Sequence, residues 1–106
     1  MKLLELVEYL KNPNSLENLL GKELKNVEID LIEIYMIESI ALDSQIKFFD
    51  AEKIPSTIEI EVDGLKYINL FPLYMAQELV EEFTSIYGKN NLEIAKRLIE
   101  YRIKDA

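Results

Sequence analysis

Residues 56–71 read Ser-Thr-Ile-Glu-Ile-Glu-Val-Asp-Gly-Leu-Lys-Tyr-Ile-Asn-Leu-Phe and combine strict alternation with a two-residue turn. Apolar and polar side chains alternate up to Val62, and Asp63-Gly64 is a pair that accepts the positive φ angles of a type I′ turn. The stretch therefore predicts a β-hairpin whose register is set by the turn. The expected cross-strand pairs are Val62 with Leu65, Glu61 with Lys66, Ile60 with Tyr67, and Glu59 with Ile68.

The two faces of this hairpin differ in character. One face is aliphatic and aromatic, whereas the other carries Glu59 and Glu61, with Lys66 as the counter-ion of one of them. Ile68 and Leu70 share that acidic face and would be partly wet if it met solvent. Either the N-terminal helices or other strand side chains pack there, which we favour, or acidic groups around an apolar centre form a protein-docking patch.

Helices are predicted on both sides of this hairpin. Residues 2–11 have the apolar spacing of an amphipathic helix, and a short helix is expected over residues 15–20, with Ser15 as its N-cap and Gly21 closing its end. After Phe71-Pro72 a long amphipathic helix runs to Gly88. Asn90 and Glu93 then have the spacing of a capping box that starts the last helix, and the short connection makes these two helices antiparallel neighbours.

The middle of the chain is rich in β-branched residues. Residues 27–36 alternate as a strand does, with a phase shift near Leu31 that predicts a β-bulge, and residues 45–49 predict another strand. Asp43-Ser44 is typical of a turn, and residues 50–55 are expected to form a loop. Together these elements predict one α+β domain over residues 1–106, with N-terminal helices, an antiparallel sheet of three to four strands around the central hairpin, and a C-terminal helical hairpin covering one sheet face.

The charge of the chain is concentrated in one segment. The net charge is −8, and residues 28–63 contain ten acids against two lysines, so the remainder is neutral overall. Such a segment repels phosphate backbones and attracts basic proteins. We therefore expect a basic protein partner and no nucleic-acid ligand.

The side-chain inventory restricts the available chemistry. The 106 residues include no histidine and no cysteine, so histidine-dependent triads, thiolate nucleophiles and sulfur metal sites are excluded. The three glycines are isolated and form no phosphate-binding loop. Glu59 and Glu61 share a face, but any half-exposed strand places alternate residues in this way, so the pair does not indicate an acid-base site. The acids at Asp43, Asp50 and Glu52 lack the pattern of a calcium loop. We expect no catalytic residue, no metal site and no cofactor.

The apolar segments indicate a cytoplasmic protein. No run reaches the roughly 18 apolar residues of a membrane span, and Glu5 and Glu8 interrupt the N-terminal apolar stretch before it could serve as a signal peptide. The first helix is flanked mainly by glutamate, which is atypical of a helix on a membrane surface. We expect no membrane partner.

These features favour a small acidic binding domain that neutralises a basic partner, as an immunity protein or antitoxin does when it occludes the active site of a bacterial nuclease-type toxin. The alternative is a chaperone for a secreted effector, or a homodimeric assembly module, that binds a segment along a sheet edge. A small carboxylate or metal enzyme is a third, disfavoured hypothesis. Tyr35 interrupts an aliphatic strand within the acidic segment and is a candidate interface anchor. The expected partner-binding residues are Glu28, Asp30, Glu33, Tyr35, Asp43, Asp50, Glu52, Glu59, Glu61 and Asp63.

Overall fold

Helices and strands follow one another in blocks in the computed structural model, which describes residues 1–55 and 57–105, the last without its side chain. Within that part of the chain there are four α-helices and four strands, which confirms the predicted α+β fold. The first residue of the quoted hairpin stretch, Ser56, lies outside the described residues. The elements are α1 (Leu3–Leu10), α2 (Pro13–Glu23), β1 (Ile32–Ile37), β2 (Ile46–Asp50), β3 (Glu59–Val62), β4 (Leu65–Pro72), α3 (Leu73–Tyr87) and α4 (Asn91–Asp105).

The strands form one antiparallel sheet in the order β2-β1-β4-β3. All four predicted hairpin pairs between β3 and β4 are present. The Asp-Gly turn adopts φ angles of 53° and 81°, and a two-residue turn of this kind fixes which residues of the two strands pair. The counter-ion of Lys66 is not the glutamate that pairs with it across the hairpin. The ammonium of Lys66 lies 3.9 Å from the carboxylate of Glu59, its diagonal neighbour, and not beside Glu61, which lies directly opposite.

The second helix is longer than predicted at both ends. It begins at Pro13, and the side-chain oxygen of Asn12 accepts a hydrogen bond from the Ser15 N–H at 3.3 Å, so Asn12 is the N-cap. Gly21 lies inside the helix with ordinary helical geometry, and the left-handed residue after the helix is Asn26, with a φ of 63°. The predicted cap at Ser15 was wrong because proline in the first turn is itself a strong start signal. The predicted end at Gly21 was wrong because Leu20 is still held in the core there.

The predicted first strand begins later than its composition suggested. Ile29–Leu31 forms a 3-10 turn closed by a hydrogen bond of 2.9 Å from the Leu31 N–H to the Glu28 carbonyl, and pairing starts only at Ile32. The irregularity in the ladder with β4 lies between Ile34 and Tyr35, not near Leu31. The β-branched residues before the strand are half-buried against the helices, so their composition reflects packing as much as pairing.

The helices cover one face of the sheet and leave the other without helical cover. Ile34 and Met36 of β1 and Leu70 of β4 lie in a core with Leu6 of α1 and Leu98 of α4. Leu70 is 2% exposed, so the face shared with Glu59 and Glu61 is the packed one and is not a docking patch. The expectation that helices pack there is confirmed.

The C-terminal helical hairpin forms as predicted. Gly88 ends α3 with a φ of 61°, and the Glu93 N–H donates to the side-chain oxygen of Asn90 at 3.2 Å. Helix α3 lies against β1 and β4, and α4 packs on α3 and α1. Across the described residues no helix combines the length and apolar character needed to cross a membrane.

Candidate functional site

The sheet face opposite the helices, here called the open face, is organised by three aromatic rings. Phe49 of β2 lies between Tyr35 of β1 and Tyr67 of β4, with ring centroids 5.2 Å apart in both pairs and near-perpendicular planes. Edge-to-face geometry of this kind is favourable for aromatic pairs. Ile60 joins the cluster from β3, and among the described residues the cluster contains no α-helical side chain. The open face is therefore built from strands with its own small core.

The open face continues into exposed apolar side chains towards the hairpin. Val62 and Leu65, which pair directly across the turn, are 37% and 42% exposed. Ile58, just before β3, is 68% exposed. Together these three residues form an apolar edge beside the buried rings, a type of surface that proteins commonly use for binding.

The connection between β2 and β3 crosses this face. Because these two strands lie at opposite edges of the sheet, the chain between them must span β1 and β4. The described parts of this connection, residues 51–55 and 57–58, are here called the crossing segment. Its Ile54 packs on the aromatic cluster, and the Tyr35 hydroxyl donates to the Thr57 carbonyl at 3.3 Å. The segment therefore forms a roof over one end of the open face.

A cavity of about 270 Å³ lies between the crossing segment and the open face. Its polar lining consists of Glu33, Tyr35 and Asn69 on the sheet and Thr57 on the crossing segment. The Asn69 side-chain N–H donates to the Glu33 carboxylate at 3.4 Å. Burial raises the pKa of Glu33, and this hydrogen bond partly offsets the rise. Burial also raises the pKa of Tyr35. A hydrogen bond between the Tyr35 hydroxyl and the Asn69 side chain opposes this rise, and the negative charge of Glu33 adds to it.

The opposite wall of the cavity is apolar. Ala51, Ile54 and Pro55 of the crossing segment line it, and Ile58 closes its side. The Ala51–Lys53 turn is held at its start by Asp50, whose carboxylate accepts the Glu52 N–H at 2.9 Å. The cavity thus has an alkyl-lined roof and a floor with one carboxylate, which is a suitable environment for a ligand that has both an apolar stem and a polar head.

The predicted partner-binding residues do not form one patch. Glu33 and Tyr35 come together at the cavity. Asp43 and Asp63 lie in turns at the other end of the sheet, roughly 15–20 Å away along strands of this length. Glu59 and Glu61 point from the outer strand towards the helix side, since they alternate with Ile60. The remaining acids, at the same end of the sheet as the cavity, are Glu28, Asp30, Asp50 and Glu52.

Tyr35 does not lie on the surface as an anchor residue would. The residue is 2% exposed within the aromatic cluster, and its hydroxyl donates a hydrogen bond to the crossing segment. The sequence reasoning missed Phe49 and Asn69. Asn69 did carry a signal, because it is the one polar residue within the apolar run from Tyr67 to Phe71.

The acids of the central segment are largely free of internal counter-ions. Within the described part of the chain, Glu59 is the only one of the ten acids between residues 28 and 63 that lies within 4 Å of a basic group. The remaining ion pairs join Arg97 and Lys104 to Glu93 and Glu100 on α4. Residues 1–55 and 57–105 also contain no group of three or more acids arranged to hold a metal ion.

Neither a known protein family, nor a curated protein, nor a solved structure matches this chain. The features that distinguish the sheet half of the molecule are the open face, its cavity, and the carboxylates that have no basic neighbour among the described residues.

Proposed function

We propose that this chain is an acidic binding domain that neutralises a basic protein by docking on it with the open face. The observation that carries the proposal is the exposed apolar edge of Ile58, Val62 and Leu65. It lies beside Glu61 and Asp63, which have no basic group within 4 Å among the described residues. An apolar centre with a charged rim is the usual anatomy of a specific protein interface. The class of protein that this arrangement fits best is an immunity protein or antitoxin.

The charge distribution supports rapid encounter with such a partner. The acids at both ends of the sheet and along its outer strand give the sheet half of the molecule a net negative field, which accelerates association with a cationic protein. Because these acids are dispersed, they steer the partner without fixing its orientation. The orientation comes from the open face and its apolar edge.

The proposed mechanism is occlusion of an active site. A nuclease binds phosphate through lysine and arginine side chains, and the carboxylates of this domain occupy those cations in place of the substrate. The domain itself needs no catalytic residue for this role. Blocking follows from the size of the bound domain, whose longest dimension is 38 Å.

A second candidate is a chaperone that adds a segment to the sheet edge, and the outer strand favours it. Within the described residues β3 pairs only with β4, so its other edge is open to a further strand. Glu59 and Glu61 on this strand would lie close to their own copies in an edge-to-edge homodimer, and like charges there are destabilising. The edge is thus better suited to a basic segment than to a second copy of this chain.

The experiment that tests the proposal first searches the reading frames beside the one that encodes this chain for a basic nuclease-type domain, and a neighbourhood without one counts against the antitoxin role. That domain then serves as the partner. Association rates are measured at low and high salt for the wild type and for a variant with Glu28, Asp30, Glu59 and Glu61 changed to lysine. We expect the association rate to fall about tenfold or more on charge reversal, and to fall with added salt in the wild type.

A matched control reverses four exposed acids on the helical side, Glu17, Glu78, Glu81 and Glu82, which gives the same change in net charge. This control should slow association less than the sheet variant does. An association rate that is indifferent to both variants and to salt would remove the electrostatic mechanism. Failure of co-expression to relieve the toxicity of the basic protein would remove the antitoxin role.

A further inference from the structure

The hydrogen-bonding groups in the cavity wall are mostly acceptors. The Tyr35 hydroxyl already donates to the Thr57 carbonyl, and the Thr57 hydroxyl donates to the Glu59 carbonyl at 2.8 Å. The amide nitrogen of Asn69 is directed at Glu33. The capacity that remains for a ligand is the Glu33 carboxylate and the amide oxygen of Asn69, and both accept hydrogen bonds. A ligand that satisfies this wall must supply donors, and the carboxylate favours a positive charge.

The apolar wall and the size of the cavity restrict the ligand further. Ala51, Ile54, Pro55 and Ile58 offer aliphatic contacts that suit an alkyl stem. The volume of about 270 Å³ is below the roughly 300–1,000 Å³ of sites for drug-sized ligands. The cavity is therefore of a size for one long side chain and not for a nucleotide or a peptide segment.

We infer that the cavity binds one arginine side chain of the basic partner, with Glu33 as its counter-ion and Asn69 as a second acceptor; this inference rests on the proposed function. A guanidinium group presents five donors in a plane and is more weakly hydrated than an ammonium, so it enters a half-buried site at lower cost than lysine. The alkyl stem of arginine then lies along the crossing segment. One arginine held here fixes the orientation that the dispersed acids leave open.

The partial burial of Glu33 strengthens the case for a cation at this position. Burial raises the pKa of this carboxyl group, which means that its charged form is poorly stabilised by its present surroundings. A guanidinium beside it would provide that stabilisation. Charge-assisted hydrogen bonds between arginine and carboxylate are among the strongest that proteins form.

The test is a titration of the isotopically labelled full chain with three small compounds, followed by NMR. N-acetyl-arginine amide is the probe, N-acetyl-citrulline amide has the same shape without the charge, and Nα-acetyl-lysine amide carries an ammonium. We expect saturable shifts at the Asn69 side-chain amide and at the methyl groups of Ala51, Ile54 and Ile58 with the arginine compound. Citrulline should bind about tenfold more weakly or worse, and lysine more weakly than arginine.

Two glutamate variants distinguish binding of arginine in the cavity from its general attraction to a negatively charged protein. Glu33→Gln should weaken arginine binding about tenfold, whereas Glu61→Gln, which makes the same charge change on the outer strand, should leave it within about twofold. Ala51→Leu is the alternative variant in case Glu33→Gln alters the fold. It extends a side chain into the cavity without changing the charge, and it should also abolish the shifts. Equal binding of citrulline and arginine, tighter binding of lysine, or equal loss in both glutamate variants would overturn the inference.

The outcome also distinguishes this inference from the proposed function. If the basic protein binds in a salt-dependent way while the arginine compound gives no saturable shifts, the arginine site is refuted and the binding role stands. If the arginine compound binds at the cavity and the basic protein neither binds nor is neutralised, the binding role as proposed is refuted while the site remains.

Discussion

Replacing Phe49 by leucine removes the ring that joins Tyr35 and Tyr67 while keeping most of its apolar volume. Each of its two edge-to-face contacts, with centroids 5.2 Å apart, contributes about 0.5–1.5 kcal/mol beyond the area it buries. We therefore expect Phe49→Leu to lower the free energy of unfolding by about 1–3 kcal/mol. The matched control is Phe83→Leu, since Phe83 is also half-buried but makes one aromatic contact, a tilted one with Tyr87 at 6.4 Å.

The measurement is urea unfolding followed by circular dichroism, with both variants analysed at the wild-type slope. For a domain of this length, each kcal/mol corresponds to roughly 4–8 °C in Tm, so the effect is also visible in a thermal scan. Phe49→Leu should lose more stability than Phe83→Leu by about 1 kcal/mol or more. If the two variants lose the same amount, or if Phe83→Leu loses more, the open face is not held by its aromatic cluster.

Four further substitutions test particular residues, each measured by urea unfolding. Gly21→Ala should stabilise the chain by about 0.5–1 kcal/mol because Gly21 lies in an exposed helical position with free space around it. Gly64→Ala should destabilise the chain by about 1–2 kcal/mol because the φ of Gly64 is +81°. Effects of the same sign would contradict the helical conformation of Gly21 or the left-handed conformation of Gly64. Leu98→Ala should cost about 2–5 kcal/mol because its side chain is fully buried between helices, and a loss below 1 kcal/mol would place it outside the core. Burial raises the folded-state pKa of Glu33 above its ordinary 4.5, so the folded chain binds its proton more tightly than the unfolded chain and stability falls as pH rises from about 4.5 through that raised pKa. Glu33→Gln should therefore raise stability at pH 7 by at most about 0.5 kcal/mol, since the group is partly exposed, and have no such benefit below pH 4; a loss at pH 7 would show that the charged form is stabilised by the fold.

The hairpin and the C-terminal helices were predictable because their signals are local. The register of β3 and β4 depends on alternation and on two turn residues that accept positive φ, and both are visible in the sequence. The start of α4 depends on Asn90, whose side-chain oxygen accepts a hydrogen bond from the backbone N–H of Glu93, three residues later. The reciprocal half of the predicted capping box is replaced by a hydrogen bond between the Glu93 carboxylate and Arg97. Local chemistry of this kind is decided within a few residues, so long-range packing does not overrule it.

The errors lie where two local signals competed. Gly21 carries the signal of a helix end, but its helix continues because Leu16 and Leu20 are held in the core and the helical backbone tolerates a glycine at a cost of about 1 kcal/mol. The β-branched side chains of residues 27–31 predict a strand. In the fold these side chains pack against helices, and composition alone does not distinguish that packing from pairing.

The cavity could not be predicted from the sequence, because it depends on the order of the strands. Glu33 and Asn69 are 36 residues apart and meet only because β1 lies next to β4. The crossing segment forms the roof only because β2 and β3 occupy opposite edges. Alternation indicates which residues share a face of one strand, but it does not indicate which strand is the neighbour.

The strand order also determines when the sheet can form. The two central strands, β1 and β4, join residues that are separated by 30 positions at Ile37 and Tyr67 and by 39 at Glu33 and Pro72. A chain emerging from the ribosome therefore holds Ile34 and Met36 without their full cover until β4 and the two helices that follow it have been made. The many distant pairings also slow the search for the native state. The same arrangement makes the fold indivisible: a fragment that stops after the hairpin turn lacks β4, one of the two middle strands of its sheet, together with Asn69, and so would have no complete cavity.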